Sequence, residues 1–218
     1  VIRADYGGDE FLSRLAEECL RRWRAWNEER FTRPLFHEVG FLLLTGSPME
    51  AGSFEHRSFT LLRRRGLSVE RIDAAALRHR FPAWNHDLYP DGYLSHEAGW
   101  AESGEVVHQL VGEAVRTGVT LLRDRGEGLI ERGGRVRGVV LASGSEQEAD
   151  VVVLATGAWR PLRVADPSPF QPAGMPVLLF APDGPERYRP PRFPVWGADI
   201  ARTGWYGFPA GPDGVVKI

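Results

Sequence analysis

The chain has 218 residues, 43% of them hydrophobic, and a net charge of -2 at pH 7, enough apolar material for one large or two small globular domains. Near-neutral charge leaves no basic face of the kind that nucleic acid or an anionic membrane surface demands. The longest apolar runs, near Phe41 to Leu44 and Val151 to Ala155, are far shorter than the roughly 20 residues that span a bilayer, and the single cysteine, Cys19, excludes an internal disulfide framework.

Val1 to Asp5 has no charged-then-apolar leader, so the cytoplasm is the expected setting. The chain opens on valine, and Val215-Val216-Lys217-Ile218 reads as a strand cut in its middle, so a fragment of a longer protein is expected. Asp9 is placed to cap a helix running to about Arg30. Phe11, Leu12, Leu15, Ala16, Cys19, Leu20 and Trp23 then fall at three- and four-residue spacing, one core-facing stripe. Phe41 to Leu44 reads as a strand stopped by Gly46-Ser47-Pro48, Ser53 to Arg65 as a polar-surfaced helix ended by Gly66, and Val69 to Ile72 as a short strand. Asp73 caps Ala74 to Arg80, which must end before Pro82.

The loop from Ala83 to Asp91 carries Trp84, His86 and Tyr89, but His79 and His86 sit on different elements without carboxylate or cysteine partners at ligand spacing. No metal site is expected there. Gly92 to Ser95 reads as a strand, Glu105 to Thr117 as a helix stopped by Gly118, and Val119 to Leu122 as a strand. Helix, glycine and apolar strand form the unit that builds a parallel sheet by crossover.

From Glu127 the pattern changes to short strands, Gly128 to Glu131 and Val136 to Ala142, joined by the hairpin signal Arg132-Gly133-Gly134-Arg135. A turn at Ser143-Gly144-Ser145 leads on to Val151-Val152-Val153-Leu154, whose unbroken β-formers suit a central strand buried on both faces. Behind it, Ala155-Thr156-Gly157-Ala158 offers the small residues that let a ligand approach the carboxyl end of a sheet, with Gly157 free to take a positive φ. Most of the 16 prolines follow Trp159, which disfavours helix, and Val177 to Phe180, Val195-Trp196 and Trp205 to Phe208 suit antiparallel strands. The expected fold class is α/β (α+β mixed), an incomplete Rossmann-like layer with an inserted β-meander beside an antiparallel-sheet layer. Lys217 is the only lysine in the chain, so chemistry that needs one has a single candidate.

Seven segments carry a resemblance: Ile2-Arg3 with Tyr6-Gly7, His37-Glu38-Val39-Gly40-Phe41-Leu42, Arg80-Phe81-Pro82, Glu97-Ala98-Gly99, Gly133-Gly134-Arg135-Val136-Arg137-Gly138-Val139, Ala155-Thr156-Gly157-Ala158-Trp159 and Tyr206-Gly207-Phe208-Pro209. In this order they resemble the D-amino-acid oxidase superfamily of FAD-dependent oxidoreductases, and within it the branch of monomeric sarcosine oxidase and N-methyltryptophan oxidase. The family's first βαβ unit carries a G-x-G-x-x-G turn whose helix N-terminus holds the FAD pyrophosphate. That turn has no counterpart here, so these residues alone are expected to bind FAD weakly or not at all.

The resemblance implies that residues 1–34 and 93–164 belong to a FAD-binding domain and residues 35–92 and 165–218 to a substrate-binding domain. It implies that Ala155, Thr156, Gly157, Ala158 and Trp159 close over the flavin side of the cofactor. By the same likeness Arg3 holds the substrate carboxylate, a task that suits a planar, permanently charged guanidinium. Tyr206 and Phe208 would lie on the sheet that roofs the substrate pocket, although aromatic core packing accounts for them equally well. Gly214 stands where covalent members carry the flavin-linking cysteine, three residues before Lys217, so non-covalent FAD is expected. The strand in which the branch's oxidases place a lysine over the flavin reads Gln171 to Val177 here, which argues against oxygen as acceptor unless Arg160 or Arg163 supplies the charge. The implied activity is oxidation of the C–N bond of an amino acid or N-methyl amino acid by hydride transfer to flavin. The alternatives are a FAD-dependent dehydrogenase of a hydroxy acid or glycerol phosphate, and a truncated module without catalysis.

Overall fold

Asp9 caps the first helix, α1 (Glu10–Glu29), with an extended backbone and a carboxylate that accepts from the Leu12 amide at 2.9 Å. The structure, a computed structural model, describes residues 1–159 and 172–218. After α1 come β1 (Phe36–His37), β2 (Phe41–Thr45), α2 (Phe54–Arg64) capped by Ser53, β3 (Val69–Arg71), α3 (Ala74–Arg80) capped by Asp73, β4 (Asp91–Ser95), β5 (Trp100–Ala101) and α4 (Ser103–Arg116). The remainder forms β6 (Gly126–Arg132), β7 (Arg135–Leu141), β8 (Glu146–Glu148), β9 (Leu179–Phe180), β10 (Val195–Ala198), the short α5 (Ile200–Thr203), β11 (Tyr206–Gly207) and β12 (Val216–Lys217). Contacts divide the chain into two units, Val1–Gly112 with Val177–Ile218, and Glu113–Pro176.

The first unit is built on a five-stranded sheet in the order β11-β10-β2-β4-β3. Its neighbours are antiparallel except β10 and β2, which run parallel. Phe41 to Leu44 is apolar without alternation because this sheet is covered on both faces. Phe41, Leu43, Tyr93 and Val195 face Ala16 and Leu20 of α1 and Leu62 of α2. Leu42, Leu44, Leu94 and Trp196 face Leu77 of α3 with Phe81 and Phe193. Each fully buried leucine contributes about 1.5–3 kcal/mol of transfer free energy, so the sheet centre anchors the unit. At its edge Gly207 is required by packing, since a Cβ there would sit 2.4 Å from the Trp196 indole.

Three expectations are corrected. Val151 to Leu154 forms no ladder among the described residues, and Val151 and Val153 are 77% and 81% exposed. An apolar segment becomes a central strand only where neighbours supply hydrogen-bonding edges and covered faces, and none is described beside it; Phe41 to Leu44 holds that environment instead. Val119 to Leu122 is likewise exposed and outside any strand, so the expected parallel crossover is not formed. The turn at Ser143 to Ser145 leads to β8, which completes the three-stranded antiparallel meander β6-β7-β8. Its hairpin was legible, with Gly133 and Gly134 at φ 60° and 71° in the connecting turn.

The third correction concerns α1. Its buried stripe is Ser13, Ala16 and Leu20 with Trp23 packed behind, while Leu12, Leu15, Cys19 and the 74% exposed Phe11 face solvent. Small side chains decide the rotation: Ser13 Oγ donates to the carbonyl of the fully buried Ala4 at 3.1 Å, drawing that face of the helix onto the N-terminal segment. The architecture is mixed α/β with several sheets. No helix among the described residues is long and apolar enough to cross a membrane. Arg160, Arg163 and Gln171 lie outside the described residues.

Candidate active site

Residues 2 to 6 are pinned beside the sheet. Ile2 and Gly99 exchange backbone hydrogen bonds of 2.8 and 2.9 Å, and Ala4 is buried. Arg3 is thereby laid over two rings, its guanidinium carbon 5.0 Å from the Tyr6 centroid and 5.4 Å from that of Phe41. Its Nη1 is buried and has no hydrogen-bond partner among the described residues. An unpaired guanidinium N–H away from water is destabilising, so the group calls for an acceptor.

Two residues further on, Asp5 is completely buried, and its Oδ1 accepts from the Tyr93 hydroxyl at 2.7 Å. Burial pushes the Asp5 carboxyl above the usual carboxylate range, against the opposing pull of the Tyr93 hydrogen bond and the Arg3 charge. Burial, and then Asp5, likewise hold the Tyr93 hydroxyl well above its ordinary value. Ser58 of α2 closes the group by accepting from the Gly7 amide at 2.7 Å.

Tyr206 reaches the same face of the sheet. It pairs across the ladder with Gly197, which pairs with Leu43, and residues paired in this way project to one side. A Cβ on Gly197 would meet Phe41 Cζ at 3.0 Å, which identifies that side as the Arg3 side. Tyr206 is 37% exposed and lies edge-on to Phe208, 6.0 Å between centroids. The structure therefore brings Arg3, Phe41 and Tyr206 to one face, although the aromatic partners of Arg3 are Tyr6 and Phe41. Ala155, Thr156, Gly157, Ala158 and Trp159 belong to the second unit. There Gly157 takes φ 57°, the Trp159 amide donates to the Thr156 carbonyl at 3.0 Å, and all five are exposed.

Lys217, which the sequence flagged by its rarity, lies beside Phe208. Its Nζ lies 5.2 Å from the Phe208 centroid, and its carbonyl accepts from the Phe208 amide at 2.8 Å. With Ile2, Trp23, Trp100, Phe208 and Val215 it lines a cavity of about 740 Å³. A neighbouring cavity of about 650 Å³ shares Trp100, Glu102 and Gly211 and adds His37 and Arg189. Arg3 and Tyr206 stand outside both walls. Aromatic and aliphatic groups together with Lys217, Val1, Glu102 and Glu105 make a lining of the kind that a planar ring can occupy. No G-x-G-x-x-G turn occurs in the sequence to meet the pyrophosphate. Among the described residues no group of three His, Cys, Asp or Glu side chains is placed to hold a metal ion.

Glu102, between the two cavities, is gripped by both nitrogens of the Arg33 fork at 2.6 Å, and His37 Nε2 donates to it at 2.7 Å. His37 in turn stacks on Trp100 with centroids 4.4 Å apart. The Arg33 hydrogen bonds, and then that of His37, pull the Glu102 carboxyl from 4.5 down to about 2 in spite of partial burial. A carboxyl depressed by folding contributes stability that is complete above its unfolded value and is lost as pH falls through its folded one. Acid titration between 4.5 and about 2 should therefore weaken the fold more steeply in the native protein than in Glu102→Gln, and thermal melts across that window check it. Parallel melting curves would refute the assignment.

A family model described as FAD dependent oxidoreductase matches residues 1–218, while a search of curated proteins returns no significant match. Solved structures that share the fold include L-proline dehydrogenase from P. horikoshii, with a TM-score of 0.76 and 17% identity over 100% of this chain and 57% of that one. Glycine oxidase from Geobacillus kaustophilus gives 0.75 and 18% over 99% and 58%. NikD, described as an unusual amino acid oxidase essential for nikkomycin biosynthesis, gives 0.69 and 22% over 99% and 56%. The chain spans less than two thirds of the length of each. With the fold shared from end to end and the family model covering every residue, the chain belongs to the FAD-dependent oxidoreductases.

Proposed function

We propose that this chain supplies much of the active site of an enzyme that oxidises the C–N bond of an amino acid or N-methyl amino acid, in the manner of the sarcosine oxidases. The observation that carries the reading is the buried, unpartnered Nη1 of Arg3 on the sheet face that also presents Tyr206. A substrate carboxylate is the acceptor that such a fork takes bidentately. FAD, when bound, supplies the ring that accepts a hydride. Phe208, Val215 and Lys217 would hold its ring end, and the resemblance assigns Ala155 to Trp159 to the cofactor as well. Arg3 then anchors the carboxylate, Tyr206 and Phe208 cover the substrate, and no side chain need act as a base when the hydrogen leaves as hydride. Water hydrolyses the released imine.

Residues 1–34 and 93–164 would form the partial FAD-binding domain and residues 35–92 and 165–218 the partial substrate-binding domain, a division that does not follow the two compact units. Met175 stands at or beside the position where related oxidases carry a lysine, so an acceptor other than oxygen goes with this reading. A cytoplasmic setting suits a chain with one cysteine. Support for the substrate class comes from neighbours named as a proline dehydrogenase, a glycine oxidase and an amino acid oxidase. The test is anaerobic mixing of the complete FAD-loaded enzyme with amino acids, N-methyl amino acids, 2-hydroxy acids and glycerol phosphate. Bleaching of the flavin absorbance by amino acids alone supports the proposal. Bleaching by hydroxy acids or glycerol phosphate alone replaces it with the corresponding dehydrogenase, and no bleaching by any of them refutes it.

A further inference from the structure

Asp91, the other deeply buried aspartate, is held by Arg71 through hydrogen bonds of 3.0 and 2.5 Å. Asp5 has no such cationic partner among the described residues. Its Oδ1 takes the Tyr93 hydroxyl, and its Oδ2, buried, meets no well-formed hydrogen-bond partner among the described residues, the carboxyl having otherwise only the weaker pull of the Ala4 and Asp5 backbone. Arg3, two residues earlier, leaves Nη1 buried and equally unpartnered. An open donor and an open acceptor thus share one buried neighbourhood, near enough for the Arg3 charge to act on Asp5 and yet unbonded. The titratable groups that act on Asp5 are Arg3 from its own segment and Tyr93 from β4. The helices present neutral hydroxyls to this corner, Ser13 of α1 on the Ala4 carbonyl and Ser58 of α2 on the Gly7 amide, while Arg57 of α2 packs over Gly8.

We propose that Asp5 is a positioning residue for the carboxylate site, a buried group whose ionised form competes with the ligand's carboxylate for the Arg3 guanidinium. The inference rests on the reading of Arg3 as the carboxylate-binding group. As a neutral acid Asp5 makes no claim on the guanidinium, which stays available to a ligand. Once ionised and dry, Asp5 is satisfied by pairing Oδ2 with Arg3, and a ligand carboxylate would then add a second negative charge to one buried cation. The two carboxylates exclude each other, so ligand binding above the Asp5 titration must be accompanied by uptake of a proton at Asp5.

The experiment is calorimetric titration of the complete FAD-loaded enzyme with acetate, in pairs of buffers of different ionisation enthalpy, from about pH 5 to about pH 9. Acetate affinity should fall about tenfold per pH unit above the Asp5 titration, with close to one proton taken up per acetate bound. Asp5→Asn should flatten the profile and abolish the uptake, and Arg3→Gln should remove acetate binding at every pH. Should Asp5→Asn fail to fold, Tyr93→Phe serves in its place. It deletes the hydrogen bond that holds the Asp5 acid down, so the midpoint should move to higher pH, and an unmoved midpoint overturns the proposal. A flat profile without proton uptake in the native protein, or an undiminished slope in Asp5→Asn, also overturns it and leaves the role of Arg3 intact provided Arg3→Gln still loses acetate. Unchanged acetate binding in Arg3→Gln removes the carboxylate reading and this inference together.

Discussion

Replacing Arg3 by glutamine in the complete FAD-loaded enzyme is expected to lower kcat/KM for the amino-acid substrate by about a hundred- to a thousandfold. A bidentate guanidinium–carboxylate pair makes two charge-assisted hydrogen bonds of about 1.5–3 kcal/mol each, and glutamine keeps at most one uncharged donor. A loss of about 3–4 kcal/mol corresponds to that range at about 1.4 kcal/mol per tenfold. Because the carboxylate is held equally before and during hydride removal, most of the change should appear in KM and little in kcat. An amine of the same side chain without the carboxylate should be almost indifferent to the substitution. Steady-state kinetics on the two substrates decide the matter. An unchanged KM for the amino acid, or equal losses for amine and amino acid, would show that Arg3 packs on Phe41 and Tyr6 without touching substrate.

Much of the fold was legible because local chemistry and tertiary environment agreed. Asp9, Ser53 and Asp73 each announce a helix by a side chain that can accept the amide three residues on, and each does so. The Gly133-Gly134 turn forces its hairpin whatever surrounds it. Val151 to Leu154 failed for the opposite reason. Its four residues specify only that some sheet should bury them, and no described strand lies beside them to form one. The face of α1 was misread because periodicity weighs large residues, whereas the approach is set by what is small enough to let the segment at Ala4 come close, namely Ser13 and Ala16.

The candidate site was legible in part for a related reason. Arg3 and Tyr206 could be named from motifs, and the ladder from β11 through β10 to β2 accounts for their common face. The company they keep could not be read in advance. Asp5, Tyr93 and Ser58 are separated by tens of residues and meet only once β4 and α2 are in place. Glu102 gives no sequence signal that separates it from any exposed glutamate, since its depressed titration comes from Arg33 and His37 on a different segment.

Acid precipitation of the complete FAD-loaded enzyme is expected to release the flavin into the supernatant and leave a colourless pellet. A covalent link would need a thiol where the resemblance places one, at Gly214, and the only thiol in the sequence, Cys19, lies on the exposed side of α1. The loop position itself disfavours a cysteine by its geometry. Gly214 takes φ 80°, its amide donates to the Gly211 carbonyl at 2.9 Å, and the next amide, of Val215, donates to Asp213 Oδ1 at 3.1 Å. A Cβ there would lie 3.2 Å from Pro185 Cβ and 3.3 Å from its Cγ. The left-handed conformation alone costs a side chain about 1–2 kcal/mol. Gly214→Cys should therefore lower the melting temperature by a few degrees and still give a colourless pellet. Flavin that remains with the native precipitate after acid and denaturant would refute the non-covalent assignment. A yellow pellet from Gly214→Cys alone would show that the turn can relax far enough to present a thiol to the ring.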